Sequence, residues 1–444
     1  MSPRTVLVLL ALAAGCGPRS EPSAREGAPN VLLITIDTLR ADRLGAYGYD
    51  RPTSPELDRF AAGAVVFEEA QASAPWTLPS LASMLTGEEP PTHACQSFGS
   101  VLDDSFVTLP ERLLAAGYDT ACVTSHLFTT TRHGLQQGFV HSDDSFAYPE
   151  VEPARNITSQ VISDKAIRFL EQKRAAADGR PWLLWLHYFD PHEEYMPHED
   201  LAGLFTSPGE PTPASTVGDL YDAEVRYTDR HVGRVLAKLA EAGFDERTIV
   251  VVLSDHGEEL YERGALGHGH SVHRELLHVP FLLRAPGLPP RRVSTVVRHT
   301  DVPATVLELA GLAAPEDAGR SLVPLLRGGA LPDVPALAEL ARGARPLDAL
   351  RLGDLKLVLA PAAGEARLYD VRADPHETRD LAGERPADVA RLRGELARLK
   401  ELALQRGQRF GSTAALAFTP GLEADLQALG YVGDEEESVP QEAR

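Results

Sequence analysis

Cysteine is scarce in this chain: three residues among 444. That number builds neither a disulfide scaffold nor a cysteine-rich zinc module. Positive charge is also in short supply. Lys and Arg total 43 against 64 Asp and Glu, a formal charge of -21. This balance argues against the basic face of a nucleic-acid-binding surface, so no nucleic-acid partner is expected. It leaves room for a small anionic substrate, because a bound cation inverts the local field. No run of 18 or more apolar residues occurs, so no apolar helix spans a membrane once the amino terminus is set aside. What the chain does have is length and apolar content. At 43% hydrophobic it suits one large α/β domain with a smaller appendage, and it is too apolar for general disorder.

The amino terminus reads as an address. Arg4 precedes an apolar run from Val6 to Ala14, followed by Gly15 and Cys16. This three-part pattern predicts a secretory signal over residues 1–16. Its ending, A-A-G-C, resembles a bacterial lipobox, which implies acylation of Cys16 and an exported lipoprotein held at the cell envelope, periplasmic or on the outer surface. Residues 17–28 are rich in Pro, Gly, Ser and charge and read as a tether. With Cys16 acylated, Cys95 and Cys122 remain, either to pair or to stay as buried thiols.

Several short apolar runs end in polar residues able to bind a metal or a substrate. Asn30 to Ile36 ends at Asp37. Thr120 to Val123 leads to Thr124, Ser125 and His126. Trp182 to Leu186 leads to His187, Asp190 and His192. Thr248 to Leu253 leads to Ser254, Asp255 and His256. Unbroken apolar, β-branched runs predict strands buried on both faces of a parallel sheet. Amphipathic stretches such as Asp222 to Ala242 intervene, as an alternating α/β order requires. Parallel sheets gather their ligand-binding strand ends along one edge. Asp37, His192, Asp255 and His256 are therefore expected in one site despite their separation. Each alone is equally a cap or turn residue.

Thr77 lies in A-P-W-T-L-P-S-L-A-S-M-L-T-G, Ala74 to Gly87. Pro79 suits the first turn of a helix, which puts Thr77 at or near its N-cap. A hydroxyl there meets the positive end of the helix dipole, which favours an alkoxide and binds anions. The same residue also serves as a plain cap.

The ordered motifs together resemble the sulfatase family of the alkaline phosphatase superfamily. V-L-L-I-T-I-D-T-L-R-A-D-R-L-G-A-Y-G-Y (Val31 to Tyr49) is similar to the first metal-binding strand. T-L-P-S-L-A-S-M-L-T-G (Thr77 to Gly87) is similar to the nucleophile segment. L-H-Y-F-D-P-H (Leu186 to His192) is similar to the segment whose last histidine reaches substrate. V-V-V-L-S-D-H-G-E (Val250 to Glu258) is similar to the second metal-binding strand. G-H-G-H-S-V-H-R-E-L-L-H-V-P-F-L-L-R (Gly267 to Arg284) and A-R-L-Y-D-V-R-A-D-P-H-E-T-R-D-L-A (Ala366 to Ala382) are similar to later motifs. The resemblance spans roughly residues 29–400. It implies an alkaline-phosphatase-like α/β fold: a mixed, mostly parallel sheet between helices, with a small C-terminal antiparallel sheet and helix. The expected division is a catalytic domain over 29–335, a small subdomain over 336–405 and a partly mobile tail over 406–444. Within the subdomain, Asp348 to Ala360 reads as a hairpin about Gly353-Asp354, with a strand near Arg367 to Val371 and a helix from Ala387 to about Gln405.

The chain departs from the family at chemically telling places. Thr77 occupies the position of the Cys or Ser that sulfatases oxidise to formylglycine. Its Cβ methyl excludes that aldehyde, so no formylglycine is expected. Leu81 replaces the motif arginine, Thr38 the second aspartate, His256 an asparagine and His268 a lysine, and His126 only partly replaces a missing G-K-W-H stretch. A formylglycine hydrate expels sulfate with its second hydroxyl; a threonine ester must be attacked by water. The resemblance thus points from Thr77 toward phosphate, phosphodiester or phosphonate esters as much as sulfuric esters. Two carboxylates, one alkoxide and one imidazole favour zinc or manganese over calcium or magnesium. The expected set is one divalent cation on Asp37, Thr77, Asp255 and His256. Thr77 serves as nucleophile, and His192 and His268 bind anion oxygens or protonate the leaving group. His126 and His270 are further substrate-binding candidates. His273 and His278 are expected to line the core or a helix face. The reading is a lipid-anchored hydrolase of a small anionic ester or glycan. An envelope phospho-alcohol transferase and a catalytically dead binding protein are the alternatives, and the sequence says nothing about oligomeric state.

Overall fold

A computed structural model describes residues 27–145, 157–201, 203–315, 319–343, 345–417 and 419–428. The expected signal, Cys16, nearly all of the tether and the final sixteen residues lie outside these ranges.

The centre is a nine-stranded sheet. In chain order its strands are β1 (Asn30–Ile36), β2 (Val65–Gln71), β3 (Asp119–Thr124), β4 (His141–Asp143), β5 (Trp182–Tyr188), β6 (Thr248–Ser254), β7 (His278–Arg284), β8 (Arg291–Val293) and β9 (Val297–Arg298). In space they run β8-β2-β7-β6-β1-β5-β3-β4, with β9 also on β2. β1 is parallel to both β5 and β6, and β3 is parallel to β5 and β4. Only β7 opposes its neighbours, being antiparallel to β2 and β6. The sheet is thus mixed and mostly parallel, as the sequence pattern implied.

Continuous apolarity is explained by the two layers. Val31 and Leu33 face the cluster holding Leu78, Leu81, Leu85, Val302 and Val306. Leu32 and Ile34 face the opposite cluster with Leu57, Ile162, Leu170, Val225 and Val232. Side chains alternate across a strand, so a strand covered on both faces needs apolar residues at every position. The covering helices are Thr77–Thr86 and Asp301–Leu309 on one face, and Pro55–Ala62, Ser159–Ala176 and Pro213–Glu241 on the other. The last begins well before the Asp222 expected from its amphipathic stripe. Thr212 and Ser215 form a capping box that starts it early.

The subdomain is a four-stranded antiparallel sheet, Ala336–Leu340, Leu347–Leu352, Leu355–Ala360 and Glu365–Asp370. Gly353, at φ +60, and Asp354 make the two-residue turn. The helix Pro386–Gly407 lays Leu392 and Leu396 onto Leu350, Leu357 and Leu368. Several contacts tie this unit to the large domain. Glu339 N–H donates to the Ser73 carbonyl at 3.1 Å. Glu377 joins Lys356 Nζ to His273 Nδ1, each at 2.7 Å.

Within the expected tail, residues 408–417 and 419–428 pack against the large domain, and the acidic stretch at 434–437 lies outside the described residues. Phe410 stacks on Phe106 at 4.1 Å, Ala414–Ala415 pairs with Ser100–Val101, and Leu422 and Leu426 are buried in the core. Spaced apolar residues dock this segment where an acidic terminus suggested mobility. Among the described residues no helix is long and apolar enough to cross a membrane. Cys95 and Cys122 are buried free thiols.

Candidate active site

Register places the site. Ile36 sits level with Tyr188 on one side and Ser254 on the other. Asp37, the next residue, donates its N–H to the Tyr188 carbonyl at 2.9 Å. Asp37 and Asp255 therefore leave adjacent parallel strands at the same height. The two loops are then pinned together. Asp255 Oδ1 accepts from Thr38 N–H at 3.3 Å and from His256 N–H at 3.0 Å. Ser254 Oγ accepts from Leu39 N–H at 2.9 Å and donates to the His256 carbonyl at 2.6 Å. Tyr221 OH donates to the Thr38 carbonyl at 2.8 Å. These bonds hold Thr38 at φ +53, a left-handed conformation that a β-branched residue seldom adopts.

Thr77 arrives from the other direction. It is the first residue of its helix, with Trp76 in the N-cap position. Gly87, at φ +79, closes the helix in the left-handed region and donates its N–H to the Ser83 carbonyl at 2.8 Å. Thr77 Oγ1 lies 3.3 Å from His256 Nε2. The same Nε2 is 3.5 Å from Asp37 Oδ1 and 3.5 Å from Asp255 Oδ2. His256 Nδ1 faces the Gly257 carbonyl at 2.9 Å, which requires its proton there and turns a lone pair on Nε2 toward the carboxylates and Thr77. Asp37, Thr77, Asp255 and His256 are each 0% exposed. The four residues expected to share one point do so.

A fifth residue joins them that the sequence reading named only as a strand end. His187 Nε2 is 3.2 Å from Asp37 Oδ2, and ligand atoms of Asp37, His187 and Asp255 lie within 4.8 Å of one another. Thr35 Oγ1 sits 2.8 Å from His187 Nδ1 and accepts from Trp185 Nε1 at 2.9 Å, fixing the ring. The signal for His187 was faint: a polar residue at the next-to-last position of a buried strand.

The electrostatics are those of a candidate cation site. Asp37 Oδ1 and Asp255 Oδ2 are buried with no hydrogen-bond partner. Burial pushes the Asp37 carboxyl up to about 7, with the neighbouring His256 pulling the other way. Burial and the Asp37 charge push Asp255 up to about 6. Two orphaned anionic oxygens facing imidazole lone pairs are unfavourable alone, and a divalent cation resolves the conflict. The residues present fit such an ion.

The remaining candidates divide. His126 accepts the Phe128 N–H on Nδ1 at 3.1 Å, so its proton is on Nε2, 3.9 Å from Asp37 Oδ2. It is a donor aimed into the site. The rings of His192 and His268 are 4.8 Å apart, and His268 is 4.5 Å from His256. His192 Nδ1 donates to the Glu193 carbonyl at 3.2 Å, and His268 Nδ1 is 2.8 Å from Glu258 Oε1. Burial holds His192 down to about 3, and burial and neighbouring imidazoles hold His126 and His268 well below the usual range. His270 is exposed and is engaged by Glu259 at 3.0 Å instead. Asp190 caps the helix Ser159–Ala176, accepting from Thr158 and Ser159. His273 belongs to the Glu377 link, and His278 Nε2 donates to the Glu68 carbonyl.

Ser80 and His299 form a strut that sequence reading missed. Ser80 Oγ donates to the Asp255 carbonyl and lies 2.9 Å from His299 Nδ1, while His299 Nε2 donates to the Ser254 carbonyl at 2.9 Å. Ser80→Ala removes the hydroxyl of a fully buried side chain that both Asp255 and His299 engage. It is expected to lower the unfolding free energy by about 1–3 kcal/mol. Urea denaturation checks this, and an unchanged midpoint refutes the strut.

The Sulfatase family model matches residues 29–312, well over half of the chain. The chain belongs to the sulfatase family. It is a hydrolase acting on sulfuric or phosphoric esters. Among relatives of this sulfatase-family chain, choline-sulfatase of Rhizobium meliloti is 25% identical, the alignment covering 82% of this chain and 85% of that protein. N-acetylglucosamine-6-O-sulfatase of Bacteroides thetaiotaomicron is 23% identical, with 90% of each covered. The phosphonate monoester hydrolase of Agrobacterium radiobacter shares the fold at a TM-score of 0.72 and 21% identity, over 85% of this chain and 96% of that one. A structure holding its substrate D-glucosamine-2-N,6-O-disulfate gives a TM-score of 0.71 at 21% identity, over 86% and 98%.

Proposed function

We propose that this sulfatase-family hydrolase cleaves a small anionic ester with the Thr77 hydroxyl as nucleophile, at a site that requires one divalent metal ion. The observation that carries this reading is the pair of buried, partnerless carboxylate oxygens on Asp37 and Asp255, both facing His256 Nε2 and, across it, Thr77 Oγ1. Asp37, Asp255, His256 and His187 would hold the ion, with Thr77 completing its surroundings. Zinc or manganese suits this nitrogen-and-oxygen set better than calcium. When bound, the ion supplies a lowered hydroxyl pKa at Thr77 and neutralisation of developing negative charge.

The protein's own groups do the rest. His126 Nε2–H donates to an oxygen of the transferred group. His192 and His268 are neutral in the free protein, and a bound anion raises their proton affinity. One of them, protonated, gives its proton to the ester oxygen as Thr77 Oγ, an alkoxide once its proton has passed to solvent, attacks sulfur or phosphorus in line. The alcohol leaves and a threonine ester remains. The imidazole, neutral again, takes a proton from water, which attacks the same centre and releases the Thr77 alkoxide for the next turnover. Threonine lacks the second hydroxyl of a formylglycine hydrate, so no formylglycine takes part and the second step depends on water. That favours phosphate and phosphonate esters over sulfate. Turnover of 4-nitrophenyl phosphate or a 4-nitrophenyl phosphodiester is expected to exceed that of the sulfate, and faster sulfate turnover that disappears in Thr77→Ala overturns the preference.

Metal removal has a signed pH dependence. Asp37 and Asp255 hold their protons in the folded, metal-free protein up to about 7 and about 6. An unfolded aspartate releases its proton near 3.9. The stability these protonated groups allow is present below about pH 4 and is lost as pH rises through the folded values. A bound cation removes that loss. The melting temperature gap between metal-loaded and chelator-treated protein is therefore expected to widen from pH 5 to pH 8. A constant or narrowing gap contradicts it.

Export and acylation at Cys16 belong to the same proposal, supported by the Arg4, Val6 to Ala14 and A-A-G-C pattern. Metabolic labelling with palmitate is expected to mark the wild type and not Cys16→Ser. Label on both rejects the lipid anchor.

A further inference from the structure

The site walls described so far come from the large sheet. One comes from the subdomain. After the strand Ala336–Leu340, whose Glu339 N–H is tied to the Ser73 carbonyl at 3.1 Å, the chain brings Arg342 back over the segment that leads into Thr77. The Arg342 guanidinium carbon is 5.0 Å from the Trp76 ring centre and 4.6 Å from that of Phe98. Those two rings meet edge to face at 5.7 Å, and Phe98 stacks on Phe128, whose ring is 5.2 Å from His126. A planar cation held on two aromatic rings loses little of its charge to water and keeps its orientation.

Its approach is from the His268 side. Gly269 sits beneath Arg342, and a Cβ built there would lie 2.0 Å from Arg342 Nη2. Gly269, at φ +72, also donates its N–H to the Pro75 carbonyl at 2.9 Å, so the loop before Thr77, the His268 loop and Arg342 converge. Arg342 is half-buried where Thr77 and His256 are fully enclosed. The attacked group, in contact with Thr77, has His126, His192 and the carboxylate cluster around it. Arg342 is thus closer to solvent than Thr77 is.

We infer that Arg342 is a specificity residue, contributed by the C-terminal subdomain, that recognises a second negative charge carried on the alcohol portion of the substrate. The inference rests on the reading of Thr77 and its surroundings as the ester site. It means that the preferred substrate is a polyanion, an ester whose leaving alcohol bears its own carboxylate or sulfate. It also gives the subdomain a part in the chemistry beyond covering the sheet.

The test separates recognition from turnover. In Thr77→Ala protein the ester stays intact, so calorimetry reads its affinity directly. Two ligands are compared, 4-nitrophenyl sulfate and 3-carboxy-4-nitrophenyl sulfate, with the corresponding phosphates as a second pair. The carboxylated ester is expected to bind about tenfold more tightly, as one charge-assisted, bidentate contact allows. Adding Arg342→Met, which keeps an unbranched apolar stem, should erase the preference. Arg342→Lys should retain part of it. Metal content of each variant tells lost folding from lost recognition. Equal affinity for both esters, a preference that survives Arg342→Met, or an equal weakening of both esters overturns the inference. Failure of the underlying reading appears elsewhere, as the absence of Thr77-dependent turnover in otherwise wild-type protein.

Discussion

Thr77→Ala protein is expected to keep its fold and to lose on the order of 10⁴-fold or more in kcat, the scale seen when a nucleophile is removed. The structural argument is that nothing else near the reacting point can replace the hydroxyl. Thr77 Oγ1 is 3.3 Å from His256 Nε2, and that nitrogen is committed to the two carboxylates. Thr77 is the first residue of its helix, with Trp76 in the N-cap position. The residue is fully buried, and Thr→Ala there removes one methyl and one hydroxyl, a loss of roughly 1–2 kcal/mol of stability that the fold tolerates. Thr77→Ser is the informative partner. It restores the hydroxyl without the methyl and should recover most of the lost rate. Steady-state turnover of the three proteins on one activated ester decides the matter. Residual activity in Thr77→Ala within tenfold of wild type would mean that water, not Thr77, attacks the ester.

Asp255→Asn carries the second large expected effect, and it points in two directions at once. The variant should retain the hydrogen bonds that Asp255 Oδ1 accepts from Thr38 and His256, because an amide oxygen accepts equally well. It loses one of two buried negative charges. Metal bound per protein should fall from one to near zero, and turnover should fall by roughly 10³-fold or more with it. Metal-free Asp255→Asn should nevertheless be more stable at pH 8 than metal-free wild type, by about 1–3 kcal/mol. The Asp37 charge contributes to raising Asp255, so the two carboxylates repel, and the amide relieves this. Metal analysis and thermal melting with and without chelator measure both arms. Full metal occupancy in the variant, or a metal-free variant less stable than metal-free wild type, contradicts the assignment of the carboxylate pair as a cation site.

Much of the site was legible because its parts sit at predictable places. Asp37, Asp255 and His256 follow strands whose unbroken apolarity identifies them as interior, and a parallel sheet puts such ends together. His126 and His192 were found in the same way. His187 was harder, since a histidine within a buried strand reads equally as a satisfied core residue. The Thr77 position came from a helix-start pattern, yet its role as first helical residue rather than cap depends on how Trp76 enters at φ -162. His270 shows the limit. It shares a short loop with His268, but one ring reaches Glu258 in the interior and the other turns to Glu259 near the surface. Loop residues two apart have no fixed geometry, so spacing could not separate them.

From the chain alone come the α/β class, the polar residues that follow buried strands, and the helix start at Thr77. These are local properties, written in short-range periodicity and motif order. Tertiary structure alone decided that His187 joins the carboxylates, that the Ser80–His299 strut supports Asp255, that residues 408–417 and 419–428 dock, and that Arg342 packs on Trp76 beside Thr77. Ser80 and His299 are 219 residues apart, and His187 lies 150 from Asp37. Contacts across such separations are chosen by how whole layers pack, a collective minimum of burial and polar satisfaction that no window of sequence contains.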